Sequence, residues 1–221
     1  MVQVEYKKVK NLTLKIKPEG EIIVVAPIGL QRSTIDQFVQ SKAHWIEKKL
    51  AMIEEKQKLR ENLLQQGSRL FLGESYTLKN EPSLERGYQF DHEAKILYLS
   101  RQKQALQKSY QDLAETVFQN VLQSLLPRMN PFYAKRPTLT KRQMSKRWGT
   151  CYPQENRIII NTKLIQAPYS LIELVILHEL LHFVHPHHQK SFYELFDQLM
   201  PDRKQREQKL KNYSFILDIK I

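Results

Sequence analysis

Hydrophobic and polar positions change their period several times along the chain, and each change marks an element. "LTLKIK" (12–17) alternates apolar and polar residues, the period of a half-buried strand. "IIVVAP" (22–27) is a β-branched run, and "PEGE" (18–21) between them carries a turn glycine, so a hairpin is expected. From Arg32 the period lengthens. Ile35, Phe38, Val39, Trp45, Ile46, Leu50 and Ile53 recur near 3.6 residues, which predicts one long amphipathic helix capped by Ser33 or Thr34, with Trp45 packed on its apolar face. "RLFLGESYTL" and "KILYLS" read as short strands around a turn-rich middle.

A second helix is expected over 103–126, with Leu106, Tyr110, Leu113, Val117, Val121 and Leu125 near one face and Pro127 and Pro131 stopping it. Strands are expected at 138–144 and 157–162, joined by "WGTCYPQEN". Pro168 opens a third helix, "PYSLIELVILHELLHFVH", and Pro186 closes it. Its middle is apolar almost all round, which predicts burial. A last amphipathic helix runs from about 189 to 199. The pattern predicts an α+β chain. An N-terminal β-rich lobe with one long helix (1–102) precedes a C-terminal lobe with a small sheet and a buried helix (103–221), or the two form one compact unit.

Composition adds class and charge. The chain has 221 residues, 41% hydrophobic and 26% charged, ordinary for a globular protein. No apolar run approaches the roughly 20 residues of a membrane helix, and "MVQVEYKKVK" has no apolar h-region of a secretory signal. With one cysteine, Cys151, no intrachain disulfide forms, and a cytoplasmic location is expected. The formal net charge of +12 favours anionic partners. The segment "KRPTLTKRQMSKR" (135–147) is basic without an acid and reads either as a solvated strand face or as a nucleic-acid contact.

Candidate chemistry concentrates in "HELLHFVHPHH" (178–188), which holds five of the seven histidines. His178 and His182 are four apart, about 40° around a helix and about 6 Å along it, so both imidazoles share a face and can share one ion. Glu179 points about 100° away from His178, placed to reach a water at the ion rather than the ion itself. This is the H-E-x-x-H arrangement of two zinc ligands and a general base. A catalytic zinc usually takes a third protein ligand. On a continuing helix His188 would lie about 9 Å further along, but Pro186 lets the chain turn and bring it back. His185 and His187 are rivals for that place, and Glu194 a weaker one.

Several motifs together, "RWGTC" (147–151), "RIIINTKLIQAP" (157–168), "IELVILHELLH" (172–182) and "HPHHQKSFYEL" (185–195), resemble the YgjP-like metallopeptidase family. So do "VAP" (25–27), "WI" (45–46) and "LG" with Tyr76 (72–76). The resemblance implies a zincin-like C-terminal lobe, one zinc or another divalent ion on His178, His182 and His188, and Glu179 as catalytic base. Arg147, Trp148 and Thr150 precede a strand expected beside the active helix and are candidate substrate-binding residues. Trp148 reads first as core packing and second as a wall of the cleft, and Arg147 equally as an anion-binding group or as one half of an ion pair. Cys151 reads as a small buried hydrophobe. The expected function is metal-dependent hydrolysis of a peptide or protein, a metal-activated water attacking the carbonyl. The resemblance also permits nucleoside triphosphate pyrophosphatase activity on an anionic nucleotide. A nucleic-acid-binding module with a structural metal is the non-enzymatic alternative.

Overall fold

A computed structural model describes residues 2–17, 19–64, 67–85, 87–101 and 104–216. The chain divides into two compact units, Met1–Asn62 and Leu63–Ile221. No helix among the described residues is long and apolar enough to cross a membrane.

The first unit contains strands β1 (Val2–Lys7), β2 (Thr13–Ile16) and β3 (Ile22–Pro27), with β3 in the centre. The expected hairpin is present, β2 antiparallel to β3 with Ile16 opposite Ile22. Of its turn, Pro18 lies outside the described residues. Gly20 has a φ of 89°, which glycine adopts without steric cost, and its N–H donates to the Lys17 carbonyl. The hydrophobic pattern did not announce β1, which pairs in parallel with β3, Val4 opposite Val24. The long helix expected from Arg32 is two helices, α1 (Arg32–Ser41) and α2 (Ala43–Leu64). The break has a local cause. The Ser41 hydroxyl donates to the Phe38 carbonyl, and Lys42 N–H donates to Val39 three residues back, tightening the turn. Gln31, not Ser33 or Thr34, holds the cap position and makes no side-chain cap bond. Trp45 is 43% exposed, so it is not the packing residue its spacing suggested.

Among its described residues the second unit carries two small sheets and four α-helices. Strands β4 (Ser68–Phe71), β5 (Glu74–Asn80), β6 (Tyr88–Asp91) and β7 (Ile96–Leu99) form a sheet in the order β4-β5-β7-β6. The sequence pattern placed these residues with the N-terminal lobe; here Phe71, Tyr76, Leu97 and Leu99 share a core with the helices that follow. The expected boundary at 102/103 falls on residues outside those described. The β4–β5 turn is Leu72–Gly73, both left-handed, the two-residue turn that matches strand twist. Its two N–H groups donate to the carbonyls of Ile165 and Gln166 at 2.8 and 3.0 Å. A Cβ at Gly73 would meet Pro168 at 2.7 Å.

Helix α3 (Ala105–Met129) runs through Pro127 instead of stopping before it. Pro127 is exposed in the last turn while Leu125, Leu126 and Met129 around it are buried, so packing carries the helix two residues further. Strands β8 (Thr138–Arg142), β9 (Gly149–Tyr152) and β10 (Arg157–Asn161) form the second sheet, order β8-β10-β9, with β9 an antiparallel edge. Helix α4 (Tyr169–Leu181) packs against α3, β9, β10, α5 (Lys190–Leu199) and α6 (Arg203–Ile216). Pro168 sits at its N-cap, one position before that expected. Leu171, Ile172, Ile176, Leu177 and Leu181 are fully buried. Each such side chain stabilises the fold by about 1.5–3 kcal/mol relative to exposure. Helix α6 had no counterpart in the expected elements. It is held by charge and by apolar contact: Arg203 donates to Asp197, Arg206 to Glu173 and the Ser170 carbonyl, and Leu210 and Tyr213 pack against the core.

Candidate metal centre

The all-round apolar stretch of α4 makes it the buried axis of its unit, and its C-terminal end delivers the polar residues. His178 and Glu179 lie in the last turn, and His182 caps the helix. The chain then loops through Pro186 and returns, so that His188 comes to face His178 with their Nε2 atoms 3.0 Å apart. One nitrogen from each of His178, His182 and His188 lies within 4.8 Å of the others. Imidazoles on one tetrahedral zinc, with bonds of about 2.0–2.1 Å, have donor atoms about 3.4 Å apart. The set is therefore compact enough for a single ion. Among the described residues it is the one such cluster found. His185 and His187 are outside it. The His185 ring meets the Ser191 hydroxyl at 3.3 Å instead. Glu194 forms an ion pair with Lys190.

Electrostatics suits metal binding. Burial pushes the His178 pKa down to about 3, with His182 and His188 adding to the effect, so the ring is neutral at physiological pH. Burial also lowers that of His182. The Nδ1 of His182 donates to the His185 carbonyl at 3.2 Å. That bond fixes the tautomer and leaves Nε2 as the free donor atom. Phe192, fully buried, packs edge-on to His178 and His188, and tilted against His182, at centroid distances of 4.8–5.2 Å. Phe196 stands edge-on behind His178. Arg203 lies over both Phe196 and Tyr193 while paired with Asp197, tying α5 to α6. Sequence reasoning missed these aromatic supports. Their i, i+4 spacing in "SFYELF" gave only an amphipathic helix.

Glu179 is 7% exposed and is the one buried acid among the described residues. Desolvation raises its pKa to about 7, against the opposing pull of the Arg147 charge and a hydrogen bond from the Cys151 backbone. Its carboxylate lies flat on β9 at Gly149. A Cβ there would come within 2.5 Å of Oε1, so only glycine leaves the room. Two cavities flank it. One, of about 430 Å³, is walled by Trp148, Leu174, Val175, Phe196 and Leu210. The other, of about 350 Å³, is walled by Thr150, Cys151, Pro153, His182 and His188. Both share Arg147, Gly149, His178 and Glu179. Arg147, Trp148 and Thr150 thus lie with the histidines at one place. Trp148 is half-buried against the main core while lining the apolar cavity, so the two readings of it coexist. The Thr150 hydroxyl donates to the Gly149 carbonyl. Burial, with a contribution from Glu179, pushes the Cys151 thiol up to about 12, which makes it a poor nucleophile. His92 meets the Tyr76 hydroxyl, and neither it nor His44 is a member of the histidine cluster. In the basic segment 135–147, Lys141 is paired with Glu115, and Lys135, Arg136, Arg142, Lys146 and Arg147 are exposed.

No curated protein matches the chain. Among solved structures it is similar to the metallopeptidase zymogen abylysin of Pyrococcus abyssi, at 17% identity and a TM-score of 0.33, over 46% of this chain and 90% of that one. A family described as YgjP-like, metallopeptidase domain, matches residues 10–213. That span is nearly the whole sequence, and the chain belongs to the YgjP-like metallopeptidase family.

Proposed function

We propose that the protein is a zinc-dependent peptidase in which His178, His182 and His188 hold the ion and Glu179 is the general base. The observation that carries this reading is the convergence of three imidazoles beside a buried carboxylate whose pKa is raised to about 7. A divalent ion held there supplies a Lewis acid that polarises a carbonyl and acidifies water. The chain's own groups supply the rest. Glu179, near neutrality, takes a proton from the attacking water and returns one to the leaving amine. Arg147 faces the same space with a positive charge suited to a developing oxyanion. Strand β9 is one of the two edges of its sheet, the one beside Glu179, and an edge accepts an extended peptide as an added strand. Thr150 lies on that strand, and Trp148 walls the apolar cavity next to it.

Elemental analysis of purified protein tests the ligand set. One zinc per chain is expected in the wild type, in His185→Ala and in His187→Ala, and less in His188→Ala. Retained stoichiometric zinc in His188→Ala would give the third place to another group. Zinc-loaded protein is then offered fluorescein-casein and a panel of nucleoside triphosphates. Cleavage of casein alone supports the peptidase. Release of pyrophosphate from nucleotides with intact casein would overturn it.

A further inference from the structure

Asn161 ends β10, and its side chain is 3% exposed. Its Nδ2 donates to the carbonyls of Met144 at 2.9 Å and Arg147 at 2.7 Å. Its Oδ1 accepts from the N–H groups of Met144 at 3.2 Å and Lys163 at 3.1 Å. Its main-chain N–H donates to the Trp148 carbonyl at 2.7 Å. A carboxamide offers two donor hydrogens and two acceptor lone pairs, so this side chain is saturated. All but the Lys163 bond grip the segment between β8 and β9. That segment, 143–148, has no helix or strand of its own, yet it delivers Arg147 and Trp148, then Gly149, to the cavities around Glu179.

We propose that Asn161 is a positioning residue that holds the 144–148 loop and so fixes Arg147 and Trp148 beside Glu179. What Arg147 and Trp148 then do for substrate rests on the peptidase reading above; the holding of the loop does not. Aspartate cannot replace it, because a carboxylate oxygen would face the Met144 and Arg147 carbonyls with no hydrogen to give. Alanine would leave those carbonyls and the Met144 N–H without this partner.

The chain has two tryptophans, so in a Trp45→Phe background the emission reports Trp148 alone. In zinc-loaded Asn161→Ala and Asn161→Asp, Trp148 emission is expected to shift to the red and to be quenched more readily by acrylamide, with zinc content unchanged. kcat/KM for fluorescein-casein is expected to fall about tenfold or more, since small misplacements of positioning groups carry such costs. Arg147→Ala is expected to cost much less in the Asn161→Ala background than alone, because the two act as one unit. An unchanged Trp148 signal together with an equal cost of Arg147→Ala in both backgrounds, only Tm having dropped, would overturn the proposal. Should both variants fail to fold, amide exchange in the wild type decides: the Met144 N–H is expected to exchange far more slowly than those of Ser145 and Lys146, and equal rates would overturn it. If the wild type leaves casein intact, the peptidase reading fails, and the fluorescence and exchange measurements still judge Asn161.

Discussion

In the unit ending at Asn62, Val24, Ala26 and Ile35 form the buried core cluster, while Tyr6, Ile28, Trp45 and Met52 remain exposed. In the unit beginning at Leu63, a continuous buried cluster runs from Phe71 to Met200 and includes both faces of α4. The first is the size of core at which a small fold is only marginally stable. The second has apolar surroundings enough to bury a carboxylate and half-bury two imidazoles, each at a desolvation cost that shows in its shifted pKa. The difference teaches where chemistry can be placed. A perturbed acid needs a large, rigid, water-poor surround, and only the second unit provides one among the described residues.

The sharpest way to break this contrast is to neutralise the acid. Glu179→Gln keeps the shape and removes the base; turnover of casein is expected to fall about 10²–10⁴-fold, with zinc retained on elemental analysis. A folded, zinc-bound and fully active variant would deny the buried site its role. Next, Gly149→Ala puts a methyl where the Glu179 carboxylate lies. A displacement of about 1 Å is expected to cost about a hundredfold in kcat/KM, with the far-ultraviolet circular dichroism unchanged. Core truncations then compare the units directly. Leu177→Ala and Ile35→Ala each empty a fully buried site and are expected to cost about 2–5 kcal/mol in urea unfolding. The amides of α4 are expected to remain protected in Ile35→Ala. Smallest, Trp45→Ala removes an exposed ring and is expected to change stability by no more than about 0.5 kcal/mol; a larger loss would place Trp45 in a contact.

Legibility followed the locality of the physics. Helix α4 was readable because its apolar run, Pro168 and the spacing of His178 and His182 lie within one short stretch. The return of His188 was readable only in part: Pro186 forbids a helix running on to His188, but α4 already ends at Leu181, short of the end expected at Pro186. The break at Lys42 was not, since it rests on a hydroxyl back-bond and one tightened turn inside an otherwise periodic helix. Strand β1 exists through parallel pairing with a strand 20 residues later, which no local period reveals. Helix α6 was not foreseen, because partners of Arg203 and Arg206, Asp197 and Glu173, stand on other helices. Phe192 and Gly149 were invisible for the same reason. One props three rings brought together by a loop, and the other yields space to a residue 30 positions away.

The hydrogen bond from His182 to the carbonyl of residue 185 has an evolutionary corollary. A main-chain oxygen does this work, so the imidazole of His185 contributes nothing to orienting its neighbour. Drift at that position should therefore be tolerated wherever the bend survives, whereas lengthening the link between residues 182 and 186 by one residue would misalign the pair whatever side chains were chosen.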